Sequence, residues 1–222
     1  MTDYIHYLGH SGFDISLNGN VVLIDPFFGA GIRDSLKIPV LRPSMIRKAD
    51  LILLTHEHKD HCDPDTIKEL AERTGATVVA PRETLATIDM NPRQKVDVKI
   101  GDRFQLKGVD VSVVKAAHPQ SQYPVGYIIN DYVTIYHAGD TYQFNDMLSM
   151  NVDYAMLPIG GGYTMDPIDA ANATKLLRAK FIIPIHYNTF DRITQDVKDF
   201  TRRVTRGRVI EMKPDESIDI KR

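Results

Sequence analysis

The sequence predicts an α+β fold built from two β-sheets packed face to face, with helices on the outside. Three observations predict it. Apolar strand-like segments fall into two groups. Segments of helical spacing lie between and after them. The turns richest in histidine and aspartate each follow an apolar strand, which places them along one edge. With 222 residues, one domain spanning 1–222 is expected, long enough for a substantial core.

The elements follow from local pattern. Asp3 to Leu8 reads as a strand ending at Gly9-His10-Ser11-Gly12, and Phe13 to Leu17 as a second. Asn18-Gly19-Asn20 is a hairpin turn of the type that needs positive φ. Val21 to Ile24 is an apolar strand that stops at Asp25-Pro26, since proline cannot continue a central strand. Residues 27–50 form a long connection broken at Gly29, Gly31, Pro39 and Pro43, and such loops are uncommon unless functional, so a lid, a contact between copies or a surface insertion is expected there. Ala49 to Leu54 reads as a buried strand. Asp65 to Arg73 is a helix with Ile67, Leu70 and Ala71 on one face, stopped by Gly75. Ala76 to Ala80 is a strand and Arg82 to Ile88 a short helix. From residue 95 to 137 the pattern is β, in segments 96–100, 103–106, 109–116, 126–129 and 133–137. Asp153 to Leu157 is another buried strand, and Asp166-Pro167 opens a helix through Leu177 with proline in the first turn. Phe181 to Ile185 is a strand and Thr194 to Val204 a helix. Arg208 to Met212 and Ser217 to Ile220 are expected to close the sheet.

The chemistry concentrates in Thr55-His56-Glu57-His58-Lys59-Asp60-His61, directly after the strand Ala49 to Leu54. Neutral imidazole suits zinc and other borderline divalent metals, and carboxylate widens the choice. Residues two apart in an extended turn point the same way, so His56 and His58 can share one cation, while Asp60 and His61 face a second. His118, Asp140 and His186 each lie just past an apolar strand, so one edge can gather all seven. His56, His58 and His118 are expected at one metal and Asp60, His61 and His186 at the other. Asp140 bridges, because a carboxylate has two oxygens to offer.

Composition narrows the partners. Hydrophobic residues make up 43% and charged residues 25%, ordinary for a globular protein. The net charge is −2, and Arg202, Arg203, Arg206 and Arg208 form only a mild basic cluster, so nucleic-acid binding is not favoured. A single cysteine, Cys62, excludes an intrachain disulfide and reads as a small buried residue. No signal segment or apolar run long enough for a bilayer stands out, so a cytoplasmic protein without membrane partners is expected.

The order HxHxDH, a later His, a later Gly-Asp-Thr and a final His resembles the metallo-β-lactamase superfamily over nearly the whole chain. The segments Leu8–Phe13, Leu23–Phe27, Tyr136–Thr141 and Pro184–Phe190 are similar to those of the UPF0173 group of metal-dependent hydrolases, near its ascorbate-6-phosphate lactonase-like branch. The resemblance implies a four-layer αββα sandwich and a dinuclear site, without implying a substrate. One departure is in 158–166, where Gly162 and Asp166 stand in place of an expected polar residue and glycine.

Four residues are expected to hold the metal-facing side chains in place: Asp25 on a motif histidine, Thr55 and Thr141 on carboxylates or backbone, and His137, whose alternative is a satisfied strand residue. His10 sits in a glycine-flanked turn and is expected to reach the substrate or a carboxylate of the site. Two divalent ions about 3.5–4 Å apart lower the pKa of a shared water from ~15.7 toward ~7, and Asp60 can orient that water and shuttle its proton. The expectation is therefore a hydrolase of a small ester, lactone or phosphoester using two divalent cations, zinc first and manganese or iron after it, with a homo-oligomer as a possible state. A metallonuclease is the alternative within the same chemistry. A di-iron redox protein is the alternative outside it, yet position 58 is histidine where such relatives place glutamate, and no flavin domain is expected. A metal-binding protein without catalysis is a third class, disfavoured because structural zinc sites are closed and mononuclear.

Overall fold

The structure is a computed structural model that describes residues 2–29, 36–37 and 41–220. The first sheet is built from β1 (Tyr4–Gly9), β2 (Gly12–Leu17), β3 (Asn20–Ile24), β4 (Leu51–Leu53), β5 (Thr77–Ala80) and β6 (Lys95–Asp97). The second is built from β7 (Arg103–Leu106), β8 (Val109–Lys115), β9 (Val125–Asn130), β10 (Thr134–His137), β11 (Asn151–Pro158), β12 (Arg178–Ile185) and β13 (Arg208–Val209). The last strand, β14 (Glu216–Asp219), returns to the first sheet beside β1. The chain end therefore does not close one sheet: β13 extends the second and β14 the first. Each sheet has seven strands, in the orders β14-β1-β2-β3-β4-β5-β6 and β13-β12-β11-β10-β9-β8-β7.

Period-two alternation explains the layers. In β4, Leu51 and Leu53 enter the core between the sheets, while Ile52 and the following Leu54 enter a second cluster under helices. In β11, Tyr154 and Met156 face the inter-sheet core, while Ala155 and Leu157 face a third cluster. A strand apolar on both faces must be covered on both. The covers are α1 (Pro64–Thr74) and α2 (Arg82–Leu85) on the first sheet, and α3 (Pro167–Leu176) and α4 (Val197–Arg203) on the second. The result is the αββα sandwich. Ile67, Leu70 and Ala71 are the buried face of α1, and Asp166 caps α3 by accepting from the amides of Ile168 and Asp169, each at 2.8 Å. That cap accounts for the aspartate that departs from the expected pattern.

Boundaries move for local reasons. The last helix begins at Val197, later than expected, because Asp196 accepts from the amide of Lys198 and sets the cap there. The edge strand β6 ends at Asp97, short of the expected 100. The hairpin between β2 and β3 has Asn18 and Gly19 both at positive φ, 49° and 82°. In the long connection, the Arg73 guanidinium donates to the carbonyls of Ile46 and Pro43 at 2.7 and 2.8 Å, fastening this stretch to α1. Gly31 and Pro39, with the rest of 30–35 and 38–40 in the expected lid or interface segment, lie outside the described residues.

Strand direction positions the site. β1, β3 and β4 run the same way, since β1 and β3 are both antiparallel to β2 and β4 is parallel to β3. β8, β10, β11 and β12 likewise share a direction. His10, Asp25, the 55–61 turn, His118, Asp140 and His186 all follow the C-terminal ends of these strands. Just past β11, Gly160 passes so close to the end of β12 that a Cβ there would lie 2.1 Å from the carbonyl oxygen of His186. Gly160→Ala is expected to cost about 1–3 kcal/mol by overpacking, a fall in Tm of roughly 2–10 °C, and to shift His186. Differential scanning fluorimetry together with metal content checks it, and an unchanged Tm contradicts the close approach.

Candidate metal centre

The strand ends bring the seven expected donors into two adjoining groups. One comprises His56, His58, His118 and Asp140, and the other Asp60, His61 and His186 with His10 as an eighth residue, the candidate donor atoms of each group lying within 4.8 Å of one another. Asp140 faces both. Its Oδ2 is 3.9 Å from His56 Nε2 and 3.8 Å from His118 Nε2, and its Oδ1 is 3.3 Å from His61 Nε2 and 3.2 Å from His186 Nε2.

Outer partners decide which nitrogen of each ring faces inward. The Thr55 hydroxyl donates to Asp25 Oδ2 at 2.6 Å, so it accepts from His56 Nδ1–H at 3.0 Å. His58 Nε2–H donates to the carbonyl of Gln120 at 3.3 Å, and His118 Nδ1–H to that of Tyr163 at 3.2 Å. The inward nitrogens of all three therefore carry lone pairs. Yet His58 Nδ1 stands only 3.0 Å from His56 Nε2 and 3.3 Å from His118 Nε2. Three lone pairs held face to face repel one another unless a cation lies among them. The donor set, all neutral imidazole and carboxylate with each ring tied from behind, fits a divalent metal.

In the second group His61 is tied from behind, whereas His186 Nδ1 is buried without a hydrogen-bond partner among the described residues. His61 Nδ1–H donates to Asp25 Oδ2 at 2.9 Å, turning Nε2 toward Asp140. His61 Nε2, Asp140 Oδ1 and His186 Nε2 are buried without a hydrogen-bond partner among the described residues. Buried polar atoms are ordinarily paired, so three orphans converging on one point mark a place for a ligand.

His10 takes the second of its two expected roles, the contact with a carboxylate of the site. It is fully buried and does not line the cavity described below, so it does not reach a substrate. Its Nε2–H donates to Asp60 Oδ2 at 3.1 Å and its Nδ1 accepts from the Thr189 hydroxyl at 2.9 Å. His10 is a positioning residue for Asp60. His137 and Thr141 take the alternatives expected for them, a satisfied strand residue and a tie to backbone. His137 Nε2–H donates to the Ser11 carbonyl at 2.8 Å and its Nδ1 accepts from the Gly139 amide at 3.2 Å, so both nitrogens are spent on backbone. The Thr141 hydroxyl accepts from Ala117 N–H and donates to the Tyr142 carbonyl, at 2.8 and 2.7 Å, and so ties two loops rather than a carboxylate. Asp25 and Thr55 do hold motif histidines. Cys62 is buried against the Thr87 hydroxyl and belongs to neither donor group, and burial pushes its thiol up to about 12.

A model of the β-lactamase superfamily domain matches residues 4–186. A UPF0173 metal-dependent hydrolase of Thermococcus kodakarensis is 38% identical, covering 97% of this chain and 99% of its own length. One from a Geobacillus strain is 37% identical over 97% and 99%. The chain belongs to the UPF0173 metal-dependent hydrolases. A solved structure, the metallo hydrolase Igni18 of Ignicoccus hospitalis, superimposes on this UPF0173 member with a TM-score of 0.86 at 33% identity, over 100% of this chain and 99% of that one.

Three residues of this UPF0173 hydrolase's centre lie in the left-handed region without being glycine: His10, Asp25 and His186, at φ 57°, 41° and 56°. Such backbone costs of order 1–3 kcal/mol each and persists only where surroundings enforce it. Here the enforcement includes His186 N–H donating to the His10 carbonyl and the Tyr7 hydroxyl donating to the same oxygen, both at 2.8 Å.

A cavity of about 770 Å³ opens beside both groups, with His58, Asp60, His118, Asp140 and His186 at one side and Tyr163, Phe190, Arg192 and Ile193 among the rest of its wall. The carbonyls of Gln120 and Tyr163 and the hydroxyl of Thr189 are missed by sequence reasoning. A main-chain carbonyl has no sequence signature, whereas Thr189, three residues past His186, was within reach of one.

The two groups differ in electrostatics. Burial, with the charge of His61 added, holds the His56 pKa well below the usual histidine range, and burial lowers that of His118. Burial also opposes the charged forms of His61 and His186, but the Asp140 carboxylate outweighs it, raising His61 well above the usual range and pushing His186 up to about 9. At pH 7 His61 and His186 thus hold protons in the metal-free protein, and His56 and His118 do not. Zinc titration at pH 7 is expected to release protons mainly as the group of His61 and His186 fills. As pH falls, that group loses affinity by roughly tenfold per pH unit for each proton displaced and empties first. Calorimetry in buffers of different ionisation enthalpy measures the release, and equal release from both groups contradicts the assignment.

Proposed function

We propose that this metal-dependent hydrolase cleaves small esters, lactones or phosphoesters with two divalent cations, zinc first and manganese or iron as alternatives. The observation that carries the reading is the set of facing lone pairs on His56, His58 and His118, joined through Asp140 to a second group, beside a small-molecule cavity. His56, His58 and His118 would hold one cation, Asp60, His61 and His186 the other, and Asp140 would span them. When bound, such a pair acidifies a water to a pKa of ~7 and polarises the oxygen of the bond under attack.

The chain's own groups supply the rest. Asp60 borders the cavity, and the hydrogen bond from His10 fixes Oδ2, leaving the carboxylate oriented to take the attacking water's proton and return it to the leaving alkoxide. A bond from water oxygen to the acyl carbon or phosphorus forms as the ester C–O or P–O bond breaks. A cavity of about 770 Å³ is of the size that encloses small ligands. A single arginine is the only Lys or Arg on its described wall, which gives a nucleic-acid backbone no track to follow.

Hydrolysis of nitrophenyl esters, lactones and phosphodiesters by the zinc- or manganese-loaded protein is expected to fall to background on complete chelation and to return on reloading. Activity that survives removal of all metal sinks the mechanism. Asp140→Ala is expected to lower both equivalents of bound metal, whereas His186→Ala empties mainly one. Elemental analysis of the purified variants decides, and equal losses contradict the spanning role.

A further inference from the structure

We propose that Arg192 determines specificity at this site by binding a carboxylate or phosphate that the substrate carries away from the bond being cut. The inference rests on the hydrolase reading above and adds a substrate class to it: esters with a second, anionic end.

Arg192 is exposed in a short 3-10 turn, Asp191–Ile193, and lines the cavity. Among the described residues it is the one Lys or Arg on that wall, and the only acids there, Asp60 and Asp140, belong to the metal-facing groups. The guanidinium has no hydrogen-bond or ion-pair partner among the described residues. The adjacent acid, Asp191, is taken by Lys37 instead. A planar fork of donors without a partner on the wall of an active-site cavity matches carboxylate and phosphate oxygens two at a time.

The segment that carries it is built to hold position. Asn188 N–H donates to the Ile193 carbonyl at 2.8 Å, and Gln195 N–H to Asn188 Oδ1 at 2.8 Å. Gln195 Nε2 donates to the Gly160 carbonyl at 2.9 Å, and Lys37 N–H to that of Thr189 at 3.0 Å. The Phe190 ring meets His10 edge-on, with centroids 5.5 Å apart. Arg192 thus sits six residues past His186 on a loop pinned to Gly160 and packed against His10, the residue that positions Asp60. Phe190 and Ile193 line the same wall and give it an apolar border beside the guanidinium. A group held at such a fixed offset orients the ester as well as attracting it.

The test uses three nitrophenyl esters of matched length on the metal-loaded protein: the neutral pentanoate, the glutarate monoester and the phosphonobutanoate. The parent is expected to favour the two anionic esters in kcat/KM by roughly 10- to 100-fold, the range for hydrogen bonds to a charged group. In Arg192→Ala the ratio of anionic to neutral collapses toward one, and Arg192→Lys recovers part of it. The order of glutarate and phosphonate in the parent shows which anion the site takes. A parent ratio near one, or a ratio unmoved in Arg192→Ala, overturns the proposal. Where none of the esters turns over, the hydrolase reading fails. The esters are then stable ligands, and their calorimetric Kd ratio in parent and Arg192→Ala, with and without zinc, decides the arginine's role by the same two criteria.

Discussion

One buried carboxylate organises the centre. Asp25, bent into the left-handed region at the end of β3, accepts from the Thr55 amide, the Thr55 hydroxyl and His61 Nδ1 at 2.8, 2.6 and 2.9 Å. Through Thr55 it fixes the ring of His56, and directly it fixes that of His61. One side chain therefore selects the tautomer of a histidine in each donor group, so the two groups are set together. The remaining ties serve one ring each: the Gln120 carbonyl for His58 and the Tyr163 carbonyl for His118. Because every one of these bonds consumes the outward N–H, the inward lone pairs are left to crowd each other, and the binding potential of the site is stored in that crowding.

The layered fold is what lets so many polar groups meet inside an apolar molecule. Strands such as β4 and β11 are covered on both faces, so their middles accept no polar residues, and all chemistry is driven to their ends. The parallel sense of β3, β4 and of β10, β11, β12 then puts those ends on one rim. The electrostatic cost of gathering buried carboxylates is met by the histidines around them. Burial opposes ionisation of Asp140, but His186 and His61 hold it well below the usual carboxylate range.

Much of this was legible in the residues. The 55–61 motif, the three strand-end donors and the partition into two groups follow from spacing and from the rule that strand ends carry polar chemistry, and the geometry brings all seven together. Asp25 was legible because an aspartate that stops a central strand needs a partner. Three histidines in similar strand-end contexts carry different expectations: a donor at His186, a substrate or carboxylate contact at His10, and a satisfied strand residue or a pocket role at His137. His186 joins the donors and His10 holds one of them, while His137 spends both nitrogens on backbone, because only the three-dimensional path of Ser11 and Gly139 decides what a ring meets. The return of β14 to the first sheet was equally invisible, since a four-residue edge strand carries no information about which edge it will pair.

The two carbonyls that steady His58 and His118 have a consequence for how such a protein diversifies. Gln120 and Tyr163 offer their main chain to the histidines while their side chains stand on the cavity wall. Any residue supplies the same carbonyl. Replacement at these positions reshapes what the pocket admits without loosening the rings behind it, so selectivity can drift across generations while the reactive machinery is inherited intact.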